Sequence, residues 1–63
     1  MTEYEGKLLT FIAGIACIST GKIRADANVL LREAGLPIVP LAAVSNEARA
    51  AQDAILRALN GRR

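Results

Sequence analysis

The lone thiol, Cys17, and the run Gly14 to Lys22, GIACISTGK, are the places where this chain of 63 residues comes nearest to a chemical motif. A nucleophilic cysteine needs a neighbouring base or positive charge that stabilises the thiolate. Around Cys17 the sequence offers Ala13, Gly14, Ala16 and Ile18, so a buried and inert thiol is expected. The glycine run matches a phosphate-binding loop only in outline. That motif places four residues between its glycines, follows the lysine with Ser or Thr, and springs from a strand. Here six residues separate Gly14 from Gly21, and Ile23 follows Lys22. With no histidine and a single cysteine, neither an intrachain disulfide nor an ordinary zinc site can be assembled. The carboxylates are spread along the chain, mostly at helix starts or opposite arginines, and do not converge as an acid and base pair would. The chain is therefore expected to be no enzyme, with no cofactor, no metal and no small-molecule substrate.

Basic residues offer a different chemistry, the binding of phosphates. The formal charge is +2, from eight Lys and Arg against six Asp and Glu. Two of the eight are Arg62 and Arg63, so the residues before them are neutral overall. A phosphate-binding surface clusters several cations on one face, and this excess sits at the chain end. Gly35 could serve as the turn of a helix-turn-helix, but the recognition helix would then contain Pro40 and carry no charge to read base edges. The remaining nucleic-acid reading is a dimer presenting Arg49, Arg57, Arg62 and Arg63 to a duplex; it is kept as the alternative.

The elements that carry these residues follow from periodicity and caps. Thr2-Glu3-Tyr4-Glu5 has the form of a capping box, with Thr2 and Glu5 satisfying each other's backbone N–H groups. Beyond it Tyr4, Leu8, Phe11, Ile15 and Ile18 recur at spacings of 4, 3, 4 and 3, a coiled-coil-like seam widened by Leu9, Ile12 and Ala16. The opposite side, Gly6, Thr10, Ala13, Gly14 and Cys17, is a strip of small residues that lets another backbone come close. A first helix over about 3–18 results, with Gly21 as its closing cap, although the first two helices could also run on as one. Ile23, Ala27, Leu30, Leu31 and Ala34 form the apolar stripe of a second helix, about 22–34. Its end reads as a Schellman close: Gly35 left-handed, Leu36 folded back on Leu31, and Pro37 barring continuation.

A linker over 35–44 follows, extended, apolar and bracketed by Pro37 and Pro40, and is expected to pack down through Ile38, Val39 and Leu41. The third helix, about 45–60, should be capped by Ser45 or Asn46. It presents Val44, Ala48, Ala51, Ile55 and Leu59, with Leu56 beside them, and carries Arg49, Asp53 and Arg57 as a solvated row of weak ion pairs on its other side. Residues 61–63 form a basic tail.

Length then decides what such a chain needs. A domain this small buries only about 60% of its unfolded surface and generally requires a staple. With disulfide and metal excluded, oligomerisation is left. The run Leu8 to Ile18, LLTFIAGIACI, is uncharged but too short for a membrane span of ~20 residues. Glu3 and Glu5 precede it where a signal peptide would carry positive charge. No membrane insertion and a cytoplasmic location are expected. The whole reading is a single all-α domain over 1–63, a small helical hairpin plus a third helix, completed by dimerisation. Its bulky first-helix face is expected to meet the Ile23, Leu30 and Ile55 stripes, and its small strip a symmetry mate or partner. Tyr4, Leu8, Phe11, Ile12, Ile15 and Ile18 are the candidate interface. The expected function is a non-enzymatic interaction module, an inhibitor, adaptor or regulator, acting as a homodimer on an unidentified protein partner.

Overall fold

Glu5 and Thr2 start the first helix as the sequence requires: the Glu5 N–H donates to Thr2 Oγ1 at 3.1 Å, and the Thr2 N–H returns to Glu5 Oε1 at 3.5 Å. From this cap α1 runs Glu3–Ile18, followed by α2, Gly21–Glu33, and α3, Ser45–Asn60. The computed structural model describes residues 2–61, among which there are three helices and no strand. It is an all-α fold with principal extents of 30 × 19 × 15 Å.

The first two helices are separate. Ser19 and Thr20 are both extended, and Gly21 takes a left-handed φ of 60°. Gly21 is thus the first residue of α2 rather than the cap that closes α1. A left-handed residue at that point turns the chain back on itself, which glycine does without the Cβ clash other residues suffer. At the far end of α2 the Schellman close is complete. Gly35, φ 75°, donates to Arg32 O at 2.9 Å, Leu36 donates to Leu31 O at 2.9 Å, and both leucines are buried. The cap of α3 differs from expectation. Val44 is the N-cap, one residue before Ser45, and its N–H donates to Glu47 Oε1 at 3.1 Å. Glutamate at the third helical position can thus secure a helix start from one side, with no hydroxyl at the cap.

α1 is the central element, packing against both α2 and α3, whose own backbones do not come close. Of the small strip, Gly6 and Ala13 face inward and are buried, Gly14 and Cys17 are half-buried and Thr10 is exposed; Ala16, from the edge of the bulky face, is buried with them. Leu31, Val39 and Ile55 are the largest wholly enclosed side chains, joined by Leu36, Ala27, Ala48 and Leu59. Small residues on α1 therefore meet large ones on its neighbours. This departs from the expected orientation: Tyr4, Leu8, Phe11 and Ile18 of the bulky face are exposed, only Leu9, Ile12 and Ile15 of it pack against the core, and most of the small strip is covered within the chain rather than left for a partner. Within α2 the buried positions are Arg24, Ala27, Asn28 and Leu31. The predicted stripe holds at Ala27 and Leu31, with Ala34 packed beside them, but the helix is rotated enough that Ile23 and Leu30 are exposed. On α3 the stripe holds at Ala48, Ile55 and Leu59, but Val44 lies outside it and is exposed.

Gly14 tests this close packing. A Cβ added there would lie 3.7 Å from Gln52 Nε2, an ordinary van der Waals contact. Because glycine inside a helix costs about 0.5–1 kcal/mol relative to alanine, Gly14→Ala is expected to stabilise the fold by that amount, read as a rise in the urea midpoint. A fall would mean that α1 and α3 lack the room this geometry gives them.

Candidate interaction surface

Two buried polar side chains of α2 decide which faces of the molecule are left over. Arg24 and Asn28, one helical turn apart, are both buried. Arg24 Nε donates to Ala16 O at 2.8 Å and Nη2 to Cys17 O at 3.0 Å. These are carbonyls of the last turn of α1, which have no intrahelical partner. That turn contains no basic residue of its own, so Arg24 supplies from α2 the positive charge that the helix terminus favours. Its Nη1 donates to Pro40 O, Leu41 O and Ala43 O at 3.1, 3.2 and 3.0 Å. One guanidinium thus ties the end of α1 to the segment that leads into α3. Among the described residues no carboxylate is paired with it.

Asn28 holds the same segment a turn further on. Its Nδ2 donates to Val39 O at 2.6 Å, and Val39 N–H donates to Oδ1 at 3.0 Å. The side-chain amide does for Val39 what a neighbouring strand would do. Residues 36–44 consequently pack down at Leu36, Val39 and, partly, Ile38, while Leu41 stays exposed against expectation. No buried side-chain N or O among the described residues lacks a partner.

With the small strip and the Arg24–Asn28 side turned inward, the bulky row of α1 lies outside. Tyr4 is 72% exposed, Leu8 44%, Phe11 66% and Ile18 82%. Ile12 and Ile15 are half-buried against the core. They line an open groove of about 220 Å³ with Ile23, Asp26, Ala27 and Leu30 of α2. The six residues singled out from the sequence therefore lie along one helix, four of them on the surface and two in the floor of the groove. Ile23 and Leu30, read from the sequence as core, continue this apolar surface onto α2.

The residues that could do chemistry are not gathered. Cys17 is half-buried rather than enclosed, and its free thiol lines a second open groove that Arg49 also borders. Arg57 Nε pairs with Asp53 at 3.0 Å on the exposed face of α3, an arrangement worth little in water. Asp53 is bonded to Arg57 and not to Arg49, so the expected ion-pair row is a single pair. Arg62 and Arg63 lie outside the described residues. Among the described residues no three His, Cys, Asp or Glu side chains could hold a metal ion, and no helix is long and apolar enough to cross a membrane.

Sequence reasoning missed Arg24 and Asn28, and a signal for them exists. They stand at i and i+4 on the same helical face as Ala27 and Leu31, ahead of a segment whose two prolines, Pro37 and Pro40, remove its own donors. Together these features define a small three-helix protein with an uncovered apolar face along α1 and the neighbouring side of α2. No protein-family model matches the chain, and comparisons with curated proteins and with solved structures give no match.

Proposed function

We propose that this chain is a non-enzymatic protein–protein interaction module, a regulator, adaptor or inhibitor, that works as a homodimer through the outer face of α1. The observation that carries the reading is the exposure of Tyr4, Leu8, Phe11 and Ile18 in one row on a single helix. An apolar surface of this continuity marks an association site rather than ordinary scatter. Covering those four side chains together with Ile23 and Leu30, on each of two copies, would bury on the order of 1,300 Å², which falls within the ~1,200–2,000 Å² of a stable interface. A two-fold pair uses the same patch twice, so one row of side chains suffices.

The test is the mass in solution, measured by light scattering and sedimentation, for the natural chain and for Phe11→Glu. Because Phe11 points outward, the charge enters the interface without entering the core. The natural chain is expected to run at twice its 6.7 kDa mass. Phe11→Glu should be a folded monomer with unchanged helical circular dichroism, its dimer dissociation constant raised at least 100-fold, as expected for an unpaired charge buried at an interface. A natural chain that is monomeric at hundreds of micromolar would refute the dimer.

A further inference from the structure

The groove between α1 and α2 is apolar except at one point, the carboxylate of Asp26. Among the described residues Asp26 has no ion-pair partner. A groove of about 220 Å³ walled by Ile12, Ile15, Ile23 and Leu30, with a single acceptor at its edge, suits a flat apolar ring that carries one hydroxyl. The chain exposes one such side chain, Tyr4, whose hydroxyl forms no hydrogen bond among the described residues. Tyr4 cannot fill the groove of its own chain, because it stands about 12 Å along α1 from Ile12 and about 16 Å from Ile15 at the helical rise per residue. A second copy can deliver it. If two α1 helices cross antiparallel at Phe11, Tyr4 of one lies opposite Ile18 of the other, since both are about 10 Å from Phe11 along the axis. Ile18 is one turn from Ile15, at the end of the groove that Ile23 closes.

Resting on the dimer reading above, we propose that the groove is the receptor for Tyr4 of a second copy, whose ring packs on Ile15 and Ile23 while its hydroxyl donates a hydrogen bond to the Asp26 carboxylate. The two-fold axis makes the exchange reciprocal, with two tyrosines and two grooves in each dimer. The phenol selects the antiparallel register, because in a parallel pair each Tyr4 lies beside the other, far from either groove.

A double-mutant cycle on the dimer dissociation constant, followed by analytical ultracentrifugation, tests this. Both positions are exposed, so Tyr4→Phe and Asp26→Ala leave the monomer fold intact, which circular dichroism verifies. Tyr4→Phe should weaken the dimer about 100-fold in the natural background, about tenfold for each of the two hydrogen bonds to a charged group that it removes, and hardly at all in the Asp26→Ala background. That coupling supports the assignment. A dimer in which the two substitutions act independently overturns the Tyr4–Asp26 contact and leaves the dimer reading standing. A natural chain without self-association overturns both, so the two failures are distinguishable.

Discussion

Replacing Arg24 by methionine should remove most of the stability of the fold and bring the chain close to its unfolding midpoint at 37 °C. Methionine keeps most of the apolar stem and removes all five donated hydrogen bonds, those to Ala16, Cys17, Pro40, Leu41 and Ala43. A buried acceptor that loses its partner costs roughly 1–3 kcal/mol, and those nearest the surface recover part of this from water, which puts the net loss at about 3–5 kcal/mol. Small domains are stable by only about 5–15 kcal/mol, and one of this length stands near the bottom of that range. Arg24→Lys should fail almost as badly, because one ammonium cannot reach both the end of α1 and the carbonyls beyond Pro40 as a planar guanidinium does. Urea unfolding followed by circular dichroism, at one fixed chain concentration, measures both. A methionine variant within 1 kcal/mol of the natural chain, a margin on the scale of one ordinary hydrogen bond, would mean that Arg24 is not what joins these segments.

Asn28→Leu should cost about 2–4 kcal/mol, because it strands both the N–H and the C=O of Val39, a residue with no solvent exposure. Leucine is close to asparagine in length, so lost packing contributes little and the deficit belongs to the two backbone groups. Arg24 and Asn28 act on the same short segment, and their losses should not add. Once one hold is released the segment can leave, and the second substitution then removes a contact already broken. An additive double variant would place the two residues in independent structural units.

The helices themselves were open to a reader of the sequence. Thr2 and Glu5 announced α1, and Gly35, Leu36 and Pro37 announced the end of α2, because each depends on chemistry within one or two turns. Orientation was not legible in the same way. Periodicity finds an apolar face on α1 but cannot say whether bulk or smallness goes inward. Here that choice is made by Arg24 and Asn28, which must face the end of α1 and the proline segment. Their inward turn leaves Ile23 and Leu30 outside, while the alanine strip of α1 is what lets its neighbours approach. The row Tyr4, Leu8, Phe11 and Ile18 was recognisable as a seam from its spacing, and its exposure follows from polar contacts elsewhere in the chain. The groove beside it combines residues of two helices and could be seen only once their packing was known.

The connection between α2 and α3 also bears on how the chain can vary in length. Connecting segments ordinarily absorb insertions and deletions, since nothing in them is held in register. Between Leu36 and Ala43 the register is fixed at Val39 by one amide and at Pro40, Leu41 and Ala43 by one guanidinium. Adding or removing a single residue there would shift every later carbonyl past its donor. The longest stretch without regular secondary structure is thus the one least able to change its length.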